Sequence, residues 1–150
     1  MSSRRPRLGK GSEATLSNGE GNADVTEKTA SSALQVSLAY YDAWTTQRFD
    51  EALAYIDESV VCDAPSGRFE GQTEFRGFME PFTGLLTRSE LIASFGDDET
   101  SLLMYDTDTV PVSNAPGAEY HRVQEGKITY IRIIFDRAPF DAARQASTGQ

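Results

Sequence analysis

Histidine and cysteine are almost absent from this chain: one of each stands among 150 residues. With Cys62 as the only thiol, an intrachain disulfide is excluded, and a reduced, cytoplasmic protein is the expectation. Set in the apolar run Val60-Val61-Cys62, that thiol reads as a small buried hydrophobe rather than a reactive group. One imidazole and one thiol cannot build the usual nitrogen and sulfur metal sites, and the carboxylates lack the spacing of a calcium loop. No metal and no cofactor is therefore expected. Positive charge is scarce too. Lys and Arg number 14 against 23 Asp and Glu, a formal net charge of −9 with a pI near 4.6. That balance argues against nucleic acid and against an anionic membrane surface as partners. Long apolar runs are missing, none approaching the roughly twenty residues that a membrane span needs. Arg4, Arg5 and Arg7 open the chain with no apolar segment behind them, so no secretory signal is expected.

What is present divides the chain. Residues 1–30 are rich in Ser, Gly, Asn, Glu and Thr and carry almost no large apolar side chain, so a disordered tail is expected there. From Ser31 the pattern turns helical: Leu34, Leu38, Tyr41 and Trp44 recur at the spacing of an amphipathic helix over 31–46. A short second helix begins at Arg48-Phe49-Asp50-Glu51. A β-branched strand covers Ser59 to Ala64 and stops at Pro65-Ser66-Gly67. Phe75, Phe78, Met79 and Phe82 mark a third helix over 72–86, which Pro81 should bend or shorten. The remainder reads as strands over 89–95, 99–110, 118–124 and 127–135, the last two joined at Glu125-Gly126 by a tight hairpin. In the last strand simple alternation puts Ile128, Tyr130, Arg132 and Ile134 on one face and Thr129, Ile131, Ile133 and Phe135 on the other. Helices first and antiparallel strands afterwards mean α+β. The domain is expected over 31–140, with residues 141–150 as a flexible C-terminal tail.

Four segments together resemble a known family. Tyr40-Tyr41-Asp42-Ala43-Trp44 followed by Arg48-Phe49-Asp50-Glu51-Ala52-Leu53 looks like the first-helix signature of SnoaL-like proteins. Phe69-Glu70-Gly71 resembles the turn before their third helix. Glu119-Tyr120-His121-Arg122-Val123 through Gly126-Lys127-Ile128 to Phe135-Asp136 resembles their final hairpin. The resemblance implies the nuclear-transport-factor-2-like cone, three N-terminal helices packed on a curved, mostly antiparallel sheet around one cavity. Its members include ketosteroid isomerase, polyketide cyclases, limonene epoxide hydrolase and scytalone dehydratase, alongside proteins with no catalysis, so the fold does not fix the function.

Ketosteroid isomerase combines a general-base Asp with a Tyr and a protonated acid as oxyanion donors. By resemblance Asp63 matches the base, Tyr40 (or Tyr41, one register away) the tyrosine, and Glu119 the acid, with His121 on the same strand face as Glu119. Each has a plainer reading: Asp63 as a turn cap before Ala64-Pro65, one tyrosine as core packing, Glu119 in an outward salt bridge, His121 as structural. Tyr41, Trp44, Phe78, Asp106 and Ile133 are expected to line the substrate cavity. Ile133 occupies the position of an acid that limonene epoxide hydrolase requires, and one histidine replaces the two of scytalone dehydratase, so neither chemistry is expected. The leading reading is a binder of a small lipophilic molecule, with cofactor-free acid–base catalysis (isomerisation, cyclisation or dehydration) as its enzymatic form. The alternative is a non-catalytic ligand-binding or dimerisation module, and a homodimer is the expected assembly.

Overall fold

The computed structural model describes residues 32–148; the tail expected over residues 1–30 lies outside them. Helix α1 (Ala33–Thr45) starts at Ser32, whose hydroxyl accepts the Gln35 amide at 3.3 Å and so satisfies one of the N–H groups that a helix start leaves unpaired. Its buried stripe runs through Val36, Ser37, Tyr40, Tyr41 and Trp44, the three- and four-residue spacing of a core-facing helix. The short α2 (Phe49–Leu53) packs Phe49 near Phe75 of α3 (Gln72–Leu85). Proline does not shorten α3. The helix runs past Pro81 to Leu85, and the bond it forgoes is the single one to the Gly77 carbonyl.

Six strands form one sheet in the order β2-β1-β6-β5-β4-β3. They are β1 (Ile56–Ala64), β2 (Gly67–Glu70), β3 (Leu86–Gly96), β4 (Thr100–Thr109), β5 (Ala115–Gln124) and β6 (Lys127–Phe135). Only β1 and β6 run parallel; the other pairs are antiparallel. Glu125 (φ 53°) and Gly126 (φ 78°) supply the two positive φ angles that a tight hairpin turn needs. Register shifts at Leu86/Arg88, Leu91/Ala93 and Arg122/Val123 insert the extra residues that bend and coil a sheet. The last of these shifts breaks the alternation of β6: Val123 pairs with Ile128, and Ile128 is buried with Ile131 and Ile133 rather than facing out with Tyr130.

The C-terminal end adds one more element. Residues 141–148, expected as part of a flexible tail, continue a fourth helix, α4 (Ala138–Thr148). Its apolar anchor is Phe140, whose ring lies 6.2 Å from Phe82 of α3 and 5.7 Å from Phe135 of β6, both edge-on. That contact, made to residues distant or sheet-bound, holds a polar helix too short to be stable alone. Replacing Phe140 by Ala should therefore speed amide exchange across 141–147 while leaving β4–β6 protected. Unchanged exchange in α4, read by hydrogen–deuterium exchange, would show that Phe140 is not what docks it.

Candidate functional site

The inner faces of β4 and β5 carry the polar interior. Alternation turns Ser101, Leu103, Tyr105 and Thr107 of β4 inward, and Gly117, Glu119, His121 and Val123 of β5. Register sets Ser101 opposite His121 and Leu103 opposite Glu119, so Tyr105 lies diagonal to Glu119. The Tyr105 hydroxyl donates to Glu119 Oε2 at 2.5 Å, and His121 Nε2 meets Glu119 Oε1 at 2.8 Å. On the imidazole's other side His121 Nδ1 lies 2.7 Å from Ser37 Oγ of α1, which is 2.5 Å from Ser101 Oγ. One proton arrangement with a neutral imidazole satisfies every member: Ser101 donates to Ser37, Ser37 to Nδ1, Nε2–H to the carboxylate, and Tyr105 to its second oxygen. Glu119 and His121 are essentially without solvent exposure, so this closed set is what offsets their burial.

Tyr105 joins the relay to a cavity of about 450 Å³. Phe69, Phe78, Phe82, Leu85, Ile133 and Phe135 wall it, and Arg137, Phe140, Asp141 and Arg144 stand at one side. Glu119 and His121 do not line this space; Tyr105 stands between them and it. Gly117 makes the ring's position possible, since a Cβ there would sit 2.8 Å from Tyr105 Cε1. With its proton committed to Glu119, the phenol oxygen keeps acceptor capacity of its own.

Of the expected site residues, the structure brings together Glu119, His121 and Tyr40 in the interior, and Phe78 and Ile133 at the cavity. Glu119 points inward to His121 rather than outward to an arginine of a neighbouring strand. Tyr40 packs edge-on to His121 with ring centroids 5.5 Å apart, and its buried hydroxyl has no hydrogen-bond partner among the described residues. Burial first, then the Glu119 charge, hold its pKa well above the ordinary 10.0. Tyr41 and Trp44 are core residues against Tyr105 and do not line this cavity. Asp63, expected as the base, does not line this cavity. Val60 and Cys62 take the inner face of β1, so Asp63 turns outward, accepts from the Tyr130 hydroxyl at 2.7 Å and pairs with Arg68 at 3.4 Å. The same alternation puts Asp106 outside, between the inward Tyr105 and Thr107. Tyr105, Ser37 and Ser101 were the residues overlooked, although the parity of Leu103, Tyr105 and Thr107 in β4 was available to find Tyr105. Among the described residues no group of three His, Cys, Asp or Glu is placed to hold a metal, and no helix is long and apolar enough to cross a membrane.

Comparison with known proteins agrees with this architecture. The SnoaL-like domain family matches residues 38–131. The chain belongs to that family. A solved structure from Kribbella flavida DSM 17836 shares 49% identity with this SnoaL-like chain, covers 81% of it and 99% of its own length, and superposes with a TM-score of 0.76. A nuclear-transport-factor-2-like protein of unknown function from Cytophaga hutchinsonii ATCC 33406 matches at 19% identity and TM-score 0.61, over 71% of this chain and 92% of that one. A provisional ketosteroid isomerase from Kribbella flavida DSM 17836 matches at 14% and 0.59, over 73% and 78%. These last two speak to fold alone. No curated protein matches significantly.

The buried acid leaves a mark on the SnoaL-like core that pH can read. Burial, then the charges of Glu119 and Asp63, push the Cys62 thiol from 9.0 up to about 12. Burial and Glu119 likewise raise Tyr105 well above 10.0. A raised pKa in the folded state means stability that is whole below the unfolded value and lost as pH climbs toward the folded one. The unfolded chain sheds its thiol proton first, so the fold should weaken from pH 9.0 upward, at about 1.4 kcal/mol per pH unit for that group. Between pH 9.0 and 10.0, before the tyrosines contribute, Cys62→Ala should show a shallower fall in melting temperature than the parent. Parallel slopes would contradict the assignment.

Proposed function

We propose that this SnoaL-like chain binds a small lipophilic molecule bearing a hydroxyl group, held in the cavity with that hydroxyl donating to Tyr105. The observation carrying this reading is a cavity of about 450 Å³ with phenylalanine walls and a phenol whose own proton is spent on a buried carboxylate. The volume falls within the roughly 300–1,000 Å³ typical of ligand sites, where apolar walls supply affinity and few polar groups supply orientation. Cofactor-free acid–base catalysis draws on the same relay but needs a proton acceptor facing the ligand. Asp63 stands on the outer face and both Glu119 oxygens are engaged, so binding is the preferred reading.

The test is selectivity. Matched alcohol, ketone and hydrocarbon on one lipophilic skeleton, titrated by calorimetry, should rank with the alcohol first, by about 2- to 10-fold for one neutral hydrogen bond. Tyr105→Phe should erase the ranking and keep hydrocarbon affinity. Glu119→Gln should turn the preference toward the ketone, because the amide can donate to the phenol oxygen and free its proton for the ligand. Failure of every lipophilic skeleton to bind would sink the proposal.

A second copy of the chain is the proposed partner at the outer face of the sheet. Phe95 (71% exposed) sits across from Leu102, and exposed Met104 lies in a row with Ala118 and exposed Ile134. A contiguous apolar strip of this kind on a rigid sheet favours association. Light scattering should give a dimer mass, and Met104→Glu should move it toward the monomer; a monomeric parent at micromolar concentration would refute it.

A further inference from the structure

The side of α4 that borders the cavity carries an unexpected charge pattern. Arg137, just ahead of the helix, and Phe140, Asp141 and Arg144 within it all line the cavity. Their spacing of three, four and seven residues is that of one helix face. Two guanidiniums and one carboxylate make this border net positive, on a chain whose net charge is −9. An average surface of this protein would be acidic; the one beside its apolar cavity is not.

The cations are only partly engaged. Asp141 accepts from Arg144 at 2.5 Å and pairs with Arg137 at 3.4 Å, while Arg137 reaches the Pro65 carbonyl at 3.4 Å. Both Arg137 contacts are longer than the roughly 2.7–2.9 Å of a charge-assisted bond. A guanidinium has five N–H donors in a planar fork suited to a carboxylate. Phe140 stands between the two arginines in sequence and contacts Phe82 and Phe135, which wall the apolar space. An anionic group at the arginines would thus extend directly into a lipophilic body lying among the phenylalanines.

The geometry points to a lipophilic anion, a carboxylic acid with an apolar body, as the ligand class of this cavity, its carboxylate held by Arg137 and Arg144. This inference rests on the reading of the cavity as a ligand site. It adds a second polar contact to that of Tyr105 and names Arg137 and Arg144 as specificity determinants.

The experiment compares 5-phenylpentanoate with its neutral amide, 5-phenylpentanamide, by calorimetry on the full chain at low and high salt. The acid should bind about tenfold tighter at low salt, as one charged hydrogen-bond pair predicts, and the advantage should shrink at high salt. The double variant Arg137→Gln, Arg144→Gln should lose the advantage and bind the amide like the parent. Asp141→Asn, which removes the competing carboxylate, should tighten the acid alone. Equal affinities in the parent, or an acid preference untouched in the double variant, would overturn the anion assignment and leave the cavity reading standing. If neither compound binds the parent, the cavity reading falls with it.

Discussion

The contact on which the interior depends is that between Glu119 and His121, two groups with 1% and 0% of their surface exposed, 2.8 Å apart. A carboxylate in such a place is costly unless every oxygen is answered. The answers come from three separate elements: Tyr105 from β4, His121 from β5, and Ser37, through the imidazole, from α1. Helix position and strand register are therefore tied together by one polar chain. A slip of one residue between β4 and β5 would bring Asp106 rather than Tyr105 to the inner face and leave Glu119 without its phenol. Apolar packing alone tolerates such rearrangement better than a fully satisfied polar network does.

The same constraint shapes the cavity. For Tyr105 to reach Glu119, the strand beside it must lack a side chain at residue 117, and glycine is there. The ring then forms both the end of the polar chain and part of the cavity wall. Curvature from the bulged registers keeps the sheet from closing flat against α3, and α4 brings Phe140 to the remaining side. The hydrophobic space is thus bordered by a phenol on a buried acid and by a pair of arginines, which are chemically unlike and separately adjustable by mutation.

Much of this was legible in the residues. Helical spacing located α1 and α3, the Glu125-Gly126 turn located the hairpin, and strand alternation placed Glu119 and His121 on one face. The failures have physical causes. Asp63 was assigned by motif position, whereas Val60 and Cys62 in the same strand already claimed the inner face and left the acid outside with Tyr130 and Arg68. Asp106 failed the same parity test against Tyr105 and Thr107. Ile128 followed a bulge that alternation cannot foresee. Helix α4 was hidden for another reason: its one large apolar anchor, Phe140, docks on Phe82 and Phe135, which lie outside the helix.

Moving the acid behind a phenol changes what the site can do. A general base must present a free lone pair to the ligand with a pKa near the working pH. Here the carboxylate reaches the cavity only through Tyr105, and burial together with that carboxylate holds the phenol well above its ordinary pKa of 10.0. A phenolate at neutral pH would place a second negative charge beside Glu119 in a water-poor interior, where like charges repel strongly. Tyr105 is therefore held neutral, with its proton directed to Glu119. On the proposed reading, the phenol oxygen accepts a donor from the ligand and no proton is transferred. That arrangement suits selective binding better than abstraction of a proton from carbon.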